Sequence, residues 1–200
     1  MNQVYGFVLA GGKSSRMGRD KSLLRLAGRT LLESSLERMR SVTEKVFIVG
    51  SRPDLSAYAP VVPDIYGNCG PLGGIHAAVS ASGAELNLVL AVDMPAVPEG
   101  FLRKLVAAAR ESQAVVTVPQ TQGGFQPLCA IYRTEFRTMA EAALKAGDYK
   151  IDRLFPRVKL RIVGENEIGK WGYKAEVFHN LNSPEDVEQA LPMPQTGGQE

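Results

Sequence analysis

Cysteine and histidine are nearly absent, with two of each in 200 residues. Cys69 and Cys129 stand far apart and form no Cys-x-x-Cys pattern. His76 and His179 add no ligand spacing, which argues against a structural zinc site. The two thiols read as buried or incidental. Charge of one sign is lacking as well: 23 basic residues face 21 acidic ones, for a net charge of +2. A general nucleic-acid binder carries a basic stripe, so no nucleic acid is expected as partner. No apolar run approaches the roughly 20 residues a membrane helix needs. The N-terminus passes directly into "VYGFVLA", with neither a basic leader nor a small-residue cleavage site. The expectation is a soluble, cytoplasmic protein with no membrane partner.

Three familiar catalytic signatures are missing too. A P-loop needs Gly-x-x-x-x-Gly-Lys-Ser/Thr. Here five residues separate Gly12 from Gly18, and Arg19 follows in place of lysine. A dinucleotide fingerprint needs Gly-x-Gly-x-x-Gly, whereas Gly11 and Gly12 are adjacent with no third glycine in place. Nor is there a Gly-x-Ser-x-Gly around a nucleophilic serine.

What is present is a core and a pattern. Apolar residues make up 44% of the chain, enough for one sizeable domain, expected over residues 1–191. The last residues, "PMPQTGGQE" (192–200), read as a disordered tail. Val4–Ala10 is a continuous apolar run, as in a strand buried on both faces of a parallel sheet. Thr30–Arg40 repeats Leu32, Leu36 and Met39 at helical spacing. Lys45–Val49 and Val61–Val62 predict strands. "GNCGPLGG" (Gly67–Gly74) reads as a turn-rich loop before a helix over Ile75–Ser82. Leu86–Val92 is the strongest strand and runs into Asp93. Pro98 opens a helix that carries Phe101, Leu102, Leu105 and Val106 on one face. Strands at Ala114–Val118 and Leu128–Tyr132, a helix at Glu135–Lys145, a strand at Lys159–Val163 and a capped helix at Ser183–Ala190 complete the pattern. Strands alternating with helices predict an α/β fold with a mostly parallel central sheet. Ligands then sit beyond the carboxyl ends of the strands, in the loops Leu9–Ser22, Asp64–Gly74 and Asp93–Pro98.

The first of these loops, "LAGGKSSRMGRDKS", holds three glycines, two lysines, two arginines and a single acid, Asp20. Gly11 and Gly12 allow the backbone to approach a base and ribose closely. The N–H groups that follow suit phosphate oxygens. Arg16 and Lys21 suit the charge that builds on a leaving pyrophosphate. A tight turn with a solvated basic face is the plainer alternative. Asp93, at the mouth of a buried strand, suits Mg²⁺ over phosphates; the alternative is a helix cap or a turn aspartate. Asp64, after Val61–Val62, invites the same argument.

Taken in order, "VLAGGKSSRMGRDKSLLRLAGRTLLE", "VPD", "GPLGG", "VDMP", "QPLCAIY" and "FHNLNSPEDV" resemble the molybdenum cofactor guanylyltransferase (MobA) family of the nucleotidyltransferase superfamily. The resemblance runs from about Val4 to Val187. It implies a Rossmann-like three-layer nucleotidyltransferase fold. It also implies GTP as donor, molybdopterin as acceptor and Mg²⁺ as cofactor. Leu9, Ala10, Gly11 and Gly12 match the segment lining the nucleotide, and Lys21 the lysine on the triphosphate. Asp64 matches an acid near the nucleotide, and Asp93 the metal ligand. Asn180 and Asn182 match a late Asn-x-Asn motif near the acceptor. The resemblance further implies cofactor-delivery proteins and molybdoenzymes as partners. Two positions depart from the family. Val49-Gly50-Ser51 stands where an asparagine is common, with Ser51 or Arg52 as substitutes. The late basic stretch is reduced to "GDYK" (Gly147–Lys150), with Lys150, Arg153 or Lys170 left to meet the acceptor phosphate. The nearest alternative keeps the chemistry on another substrate pair, as in a cytidylyltransferase or a related nucleotidyltransferase. A non-catalytic nucleotide-binding module would keep the glycines without needing Asp93 and Lys21.

Overall fold

A computed structural model describes residues 3–11, 20–26 and 28–181. The chain opens with β1 (Val4–Leu9), followed by a short antiparallel ribbon of β2 (Arg25–Leu26) and β3 (Arg29–Thr30). Then come α1 (Leu31–Arg40), β4 (Lys45–Val49), β5 (Val61–Val62), α2 (Gly70–Ala81) and β6 (Leu86–Ala91). The second half contains α3 (Glu99–Arg110), β7 (Val116–Thr121), β8 (Gly124–Phe125), β9 (Cys129–Arg133), α4 (Phe136–Lys145), β10 (Leu160–Gly164) and α5 (Glu165–Lys170).

The main sheet runs β10-β7-β9-β6-β1-β4-β5, with β8 attached to β7. β1 pairs in parallel with both β4 and β6, and β4 with β5, while β9 is antiparallel to its neighbours. The register places Leu9 beside Val49 and Ala91, and Val49 beside Val62. Four carboxyl ends therefore reach one edge together.

The continuous apolar runs are explained by helices on both faces. Val4 and Val8 of β1, with Leu86, Leu88 and Leu90 of β6, pack against α1 and α3. Tyr5, Phe7, Leu9 and Val89 point the other way, against α2 and α4. The result is a three-layer α/β architecture. α1 begins with a reciprocal cap: Thr30 Oγ1 accepts from the Glu33 N–H at 3.1 Å, and Glu33 Oε2 accepts from the Thr30 N–H at 2.8 Å. Such a cap contributes about 1 kcal/mol.

Two expectations need correction. The helix expected from Ile75 begins at Gly70, because Pro71 fits a first turn and its small residues let the helix lie close to the sheet. A Cβ on Gly74 would meet Leu9 Cδ2 at 3.3 Å. The strand expected at Ala114–Val118 instead spans Val116–Thr121, extended by its pairing with β10 and β8. The loop after β10 contains α5, which the sequence pattern did not suggest. The helix expected at Ser183–Ala190 and the tail lie outside the described residues. Among the described residues, no helix is long and apolar enough to cross a membrane.

Candidate active site

The carboxyl edge gathers most of the described candidates. Leu9 and Ala10 are buried, and their backbone is tied to both neighbouring strands. The Ala10 N–H donates to the Val49 carbonyl at 3.0 Å, and the Val92 N–H donates to the Leu9 carbonyl at 3.1 Å. Gly11 follows, against the backbone of Gly50. A Cβ on Gly50 would lie 3.0 Å from both N and Cα of Gly11, and the φ of Gly50 is +141°. Two strand ends can meet this closely only without side chains.

Asp64 closes this corner from the β5 side. One carboxylate oxygen lies 3.8 Å from where a Gly11 Cβ would stand, and the other 3.9 Å from that of Gly74. Burial raises its carboxyl above the ordinary aspartate range. Asp93 is half-buried just past β6. Burial raises its carboxyl too, against the opposing pull of the Lys21 ammonium. Lys21 and Asp93 thus meet electrostatically although 71 residues lie between them in the chain. Asp20 starts the short 3-10 turn that carries Lys21, accepting from the Ser22 N–H at 3.0 Å and the Ser22 hydroxyl at 2.7 Å.

Asn180 is exposed and sits one residue before Leu181, whose N–H donates to the Asp93 carbonyl at 2.9 Å. Asn180 is therefore held near the Asp93 strand end. Gly12, Arg16 and Asn182 lie outside the described residues. Arg52, one substitute for the family asparagine, is engaged elsewhere: it bridges Asp20 and Asp54, each at 2.6 Å. It ties the Lys21 turn to the loop after β4. Of the basic residues proposed for the acceptor, Arg153 lies 3.4 Å from Asp148, and Lys150 and Lys170 are exposed.

Among the described residues, no three His, Cys, Asp or Glu side chains converge as a metal cage. A desolvated single carboxylate at a strand mouth nevertheless fits Mg²⁺, which is commonly held by one or two carboxylates, with phosphates and water filling the rest.

The MobA-like NTP transferase domain family matches residues 6–161. The chain belongs to this family. Within it, the chain is similar to a protein of Opitutus terrae named "Probable molybdenum cofactor guanylyltransferase", 38% identical over 92% of this chain and 93% of that protein. It is also similar to the molybdenum cofactor guanylyltransferase of Desulfosudis oleivorans, 29% identical over 95% of each chain. Among solved structures, molybdopterin-guanine dinucleotide biosynthesis protein A from Archaeoglobus fulgidus superposes with a TM-score of 0.80 at 26% identity, covering 93% of this chain and 96% of that one. The match to this MobA-like structure agrees with the expected three-layer nucleotidyltransferase fold.

Proposed function

We propose that the protein transfers GMP from GTP to the terminal phosphate of molybdopterin, giving the guanine dinucleotide cofactor and pyrophosphate. The observation that carries this reading is the electrostatic pull of Lys21 on Asp93, at a strand end that the Val92 N–H ties to the Leu9 carbonyl of β1. A binding module needs the glycine approach; group transfer also needs opposite charges around a phosphate chain. The choice of guanine and molybdopterin rests on the names of the relatives.

In this reading Leu9, Ala10, Gly11 and Gly12 line the nucleoside, with Asp64 alongside. Asp93 would hold Mg²⁺, which when bound neutralises charge on the phosphate oxygens. An acceptor phosphate oxygen attacks the α-phosphorus in line. The new P–O bond forms as the Pα–O–Pβ bond breaks, and pyrophosphate departs with the electron pair. Lys21 and Arg16 balance the charge that moves onto it. The acceptor is already an anion near neutral pH, so no strong general base is required. Asn180 and Asn182 orient the acceptor. Catalysis is positioning and charge neutralisation. The product would pass to molybdoenzymes, directly or through delivery proteins.

The test is calorimetric titration with GTP, CTP, ATP and UTP, each with and without Mg²⁺, followed by pyrophosphate release with molybdopterin. GTP binding tightened by Mg²⁺, with release only when the acceptor is present, is the expected result. A preference for CTP would move the chain to a cytidylyl reading. Binding of GTP with no release under any acceptor condition would favour the non-catalytic module.

A further inference from the structure

Arg38 lies on α1, facing the segment that follows Asp93, and most of its side chain is removed from water. Burial lowers its pKa, which still leaves it a cation at any working pH. Among the described residues, no carboxylate pairs with it. It is satisfied by carbonyls instead. Its Nη1 donates to the Pro95 carbonyl at 2.6 Å, to the Val97 carbonyl at 2.6 Å and to the Met94 carbonyl at 3.3 Å. Nη2 donates to Ser35 Oγ at 3.0 Å, and Nε to the Ser34 carbonyl at 3.0 Å. A buried guanidinium without a counter-ion is costly. All three long-range acceptors belong to the segment that immediately follows Asp93. That segment is irregular, so these carbonyls lack the ladder partners a strand or helix would supply.

We infer that Arg38 is a positioning residue for Asp93: its guanidinium gathers the carbonyls of residues 94, 95 and 97 and so fixes where the Asp93 carboxylate stands at the end of β6. The inference rests on the proposed role of Asp93 in holding the metal with GTP. The geometry favours it over a general role in stability. Met94 and Val97 are already anchored in the core, 2% and 0% exposed. The guanidinium therefore adds orientation to a segment that packing already retains. The planar guanidinium aims Nη1 at the three carbonyls while Nη2 and Nε are held by Ser35 and Ser34 of α1, a fixed orientation that a lysine ammonium on the same helix cannot reproduce.

The experiment compares wild type, Arg38→Met, Arg38→Lys, Asp93→Asn and the double variant Arg38→Met/Asp93→Asn. Each is titrated with GTP in the absence of metal and across a Mg²⁺ series, assayed for turnover, and melted. In Arg38→Met, half-saturating Mg²⁺ should rise and turnover fall, each by about 10–100-fold, the range for removing the outer support of a metal ligand. Metal-free GTP affinity should stay within about twofold, since the contacts near Gly11 are untouched. Arg38→Lys should fall between the two and carries the same test if the methionine variant does not fold. On the Asp93→Asn background, Arg38→Met should cause no further loss. A lower melting temperature with wild-type Mg²⁺ dependence and turnover would overturn the inference and leave Arg38 a structural residue. If wild type itself binds GTP equally with and without Mg²⁺, the reading of Asp93 fails first, and the two failures are told apart by the wild-type series alone.

Discussion

The Leu181 N–H donates to the Asp93 carbonyl at 2.9 Å, joining the end of the described chain to the end of β6. The bond sets Asn180 near Asp93, at the same edge as the end of β1. Two substitutions separate the bond from the packing around it. Leu181 is 8% exposed and belongs to the α1–α3 core, so Leu181→Ala keeps the N–H and should cost about 2 kcal/mol in packing. Leu181→Pro keeps most of the apolar bulk and loses the donor. Turnover should follow the donor: the proline variant should be slower than the alanine variant by about tenfold, the worth of one hydrogen bond. Equal turnover in the two variants would show that the bond does not position the acceptor motif.

Asp93→Asn should remove activity and stabilise the free protein. Burial raises the Asp93 carboxyl, so folding disfavours its ionised form and the native state carries that cost at neutral pH. The asparagine has no charge to desolvate. Its stability advantage should be full above the raised native pKa. It should shrink as pH falls through that value toward the unfolded one, and vanish once both states are protonated. Chemical denaturation of the two proteins across a pH series measures this directly. An asparagine variant less stable than wild type at pH 7 would mean that the carboxylate makes a favourable contact stronger than its burial cost.

Lys21→Ala tests the opposite charge. Loss of one donor to developing charge costs about 10²–10³ in turnover. A second effect distinguishes this from general damage. Lys21 holds the Asp93 carboxyl lower than burial alone would, so its removal should move the acid limb of the kcat/KM profile to higher pH. A slower enzyme with an unshifted limb would uncouple Lys21 from Asp93.

Much of this arrangement was legible in the residues themselves. β1 and β6 have six buried positions in a row, and strands covered on both faces read as unbroken apolar runs. Asp93 stood out because a carboxylate ends such a run. The start of α2 was hidden. Gly70–Gly74 has the composition of a turn, and only its packing against Leu9 makes small residues favourable in a helix there. Arg38 was hidden for another reason. An arginine near the end of an amphipathic helix has the pattern of a solvated face, and its acceptors lie 56 to 59 positions further along the chain. The Arg52 bridge was equally invisible, since its Asp20 partner belongs to a different loop.

Gly50→Ala probes the closest backbone approach at the site. The φ of +141° is one that L side chains rarely adopt, and the added Cβ would meet N and Cα of Gly11 at 3.0 Å. Neither obstacle is the movable end of a side chain, so the strands themselves must part. The strain should cost about 1–3 kcal/mol, which for a chain of this size lowers Tm by roughly 2–12 °C. The displacement falls on Gly11, next to the proposed nucleoside position, and hardly at all on Asp93, which is tied separately to Leu181 and Leu9 through its own strand end. GTP affinity without metal should therefore weaken, while the concentration of Mg²⁺ needed for half-saturation stays near the wild-type value. This is the reverse of the pattern expected for Arg38→Met. Measured together by calorimetry, the two variants divide the edge into a nucleoside half built on Gly11 and Gly50 and a phosphate half built on Asp93. Loss of Mg²⁺ dependence in Gly50→Ala would show instead that the two halves move as one body.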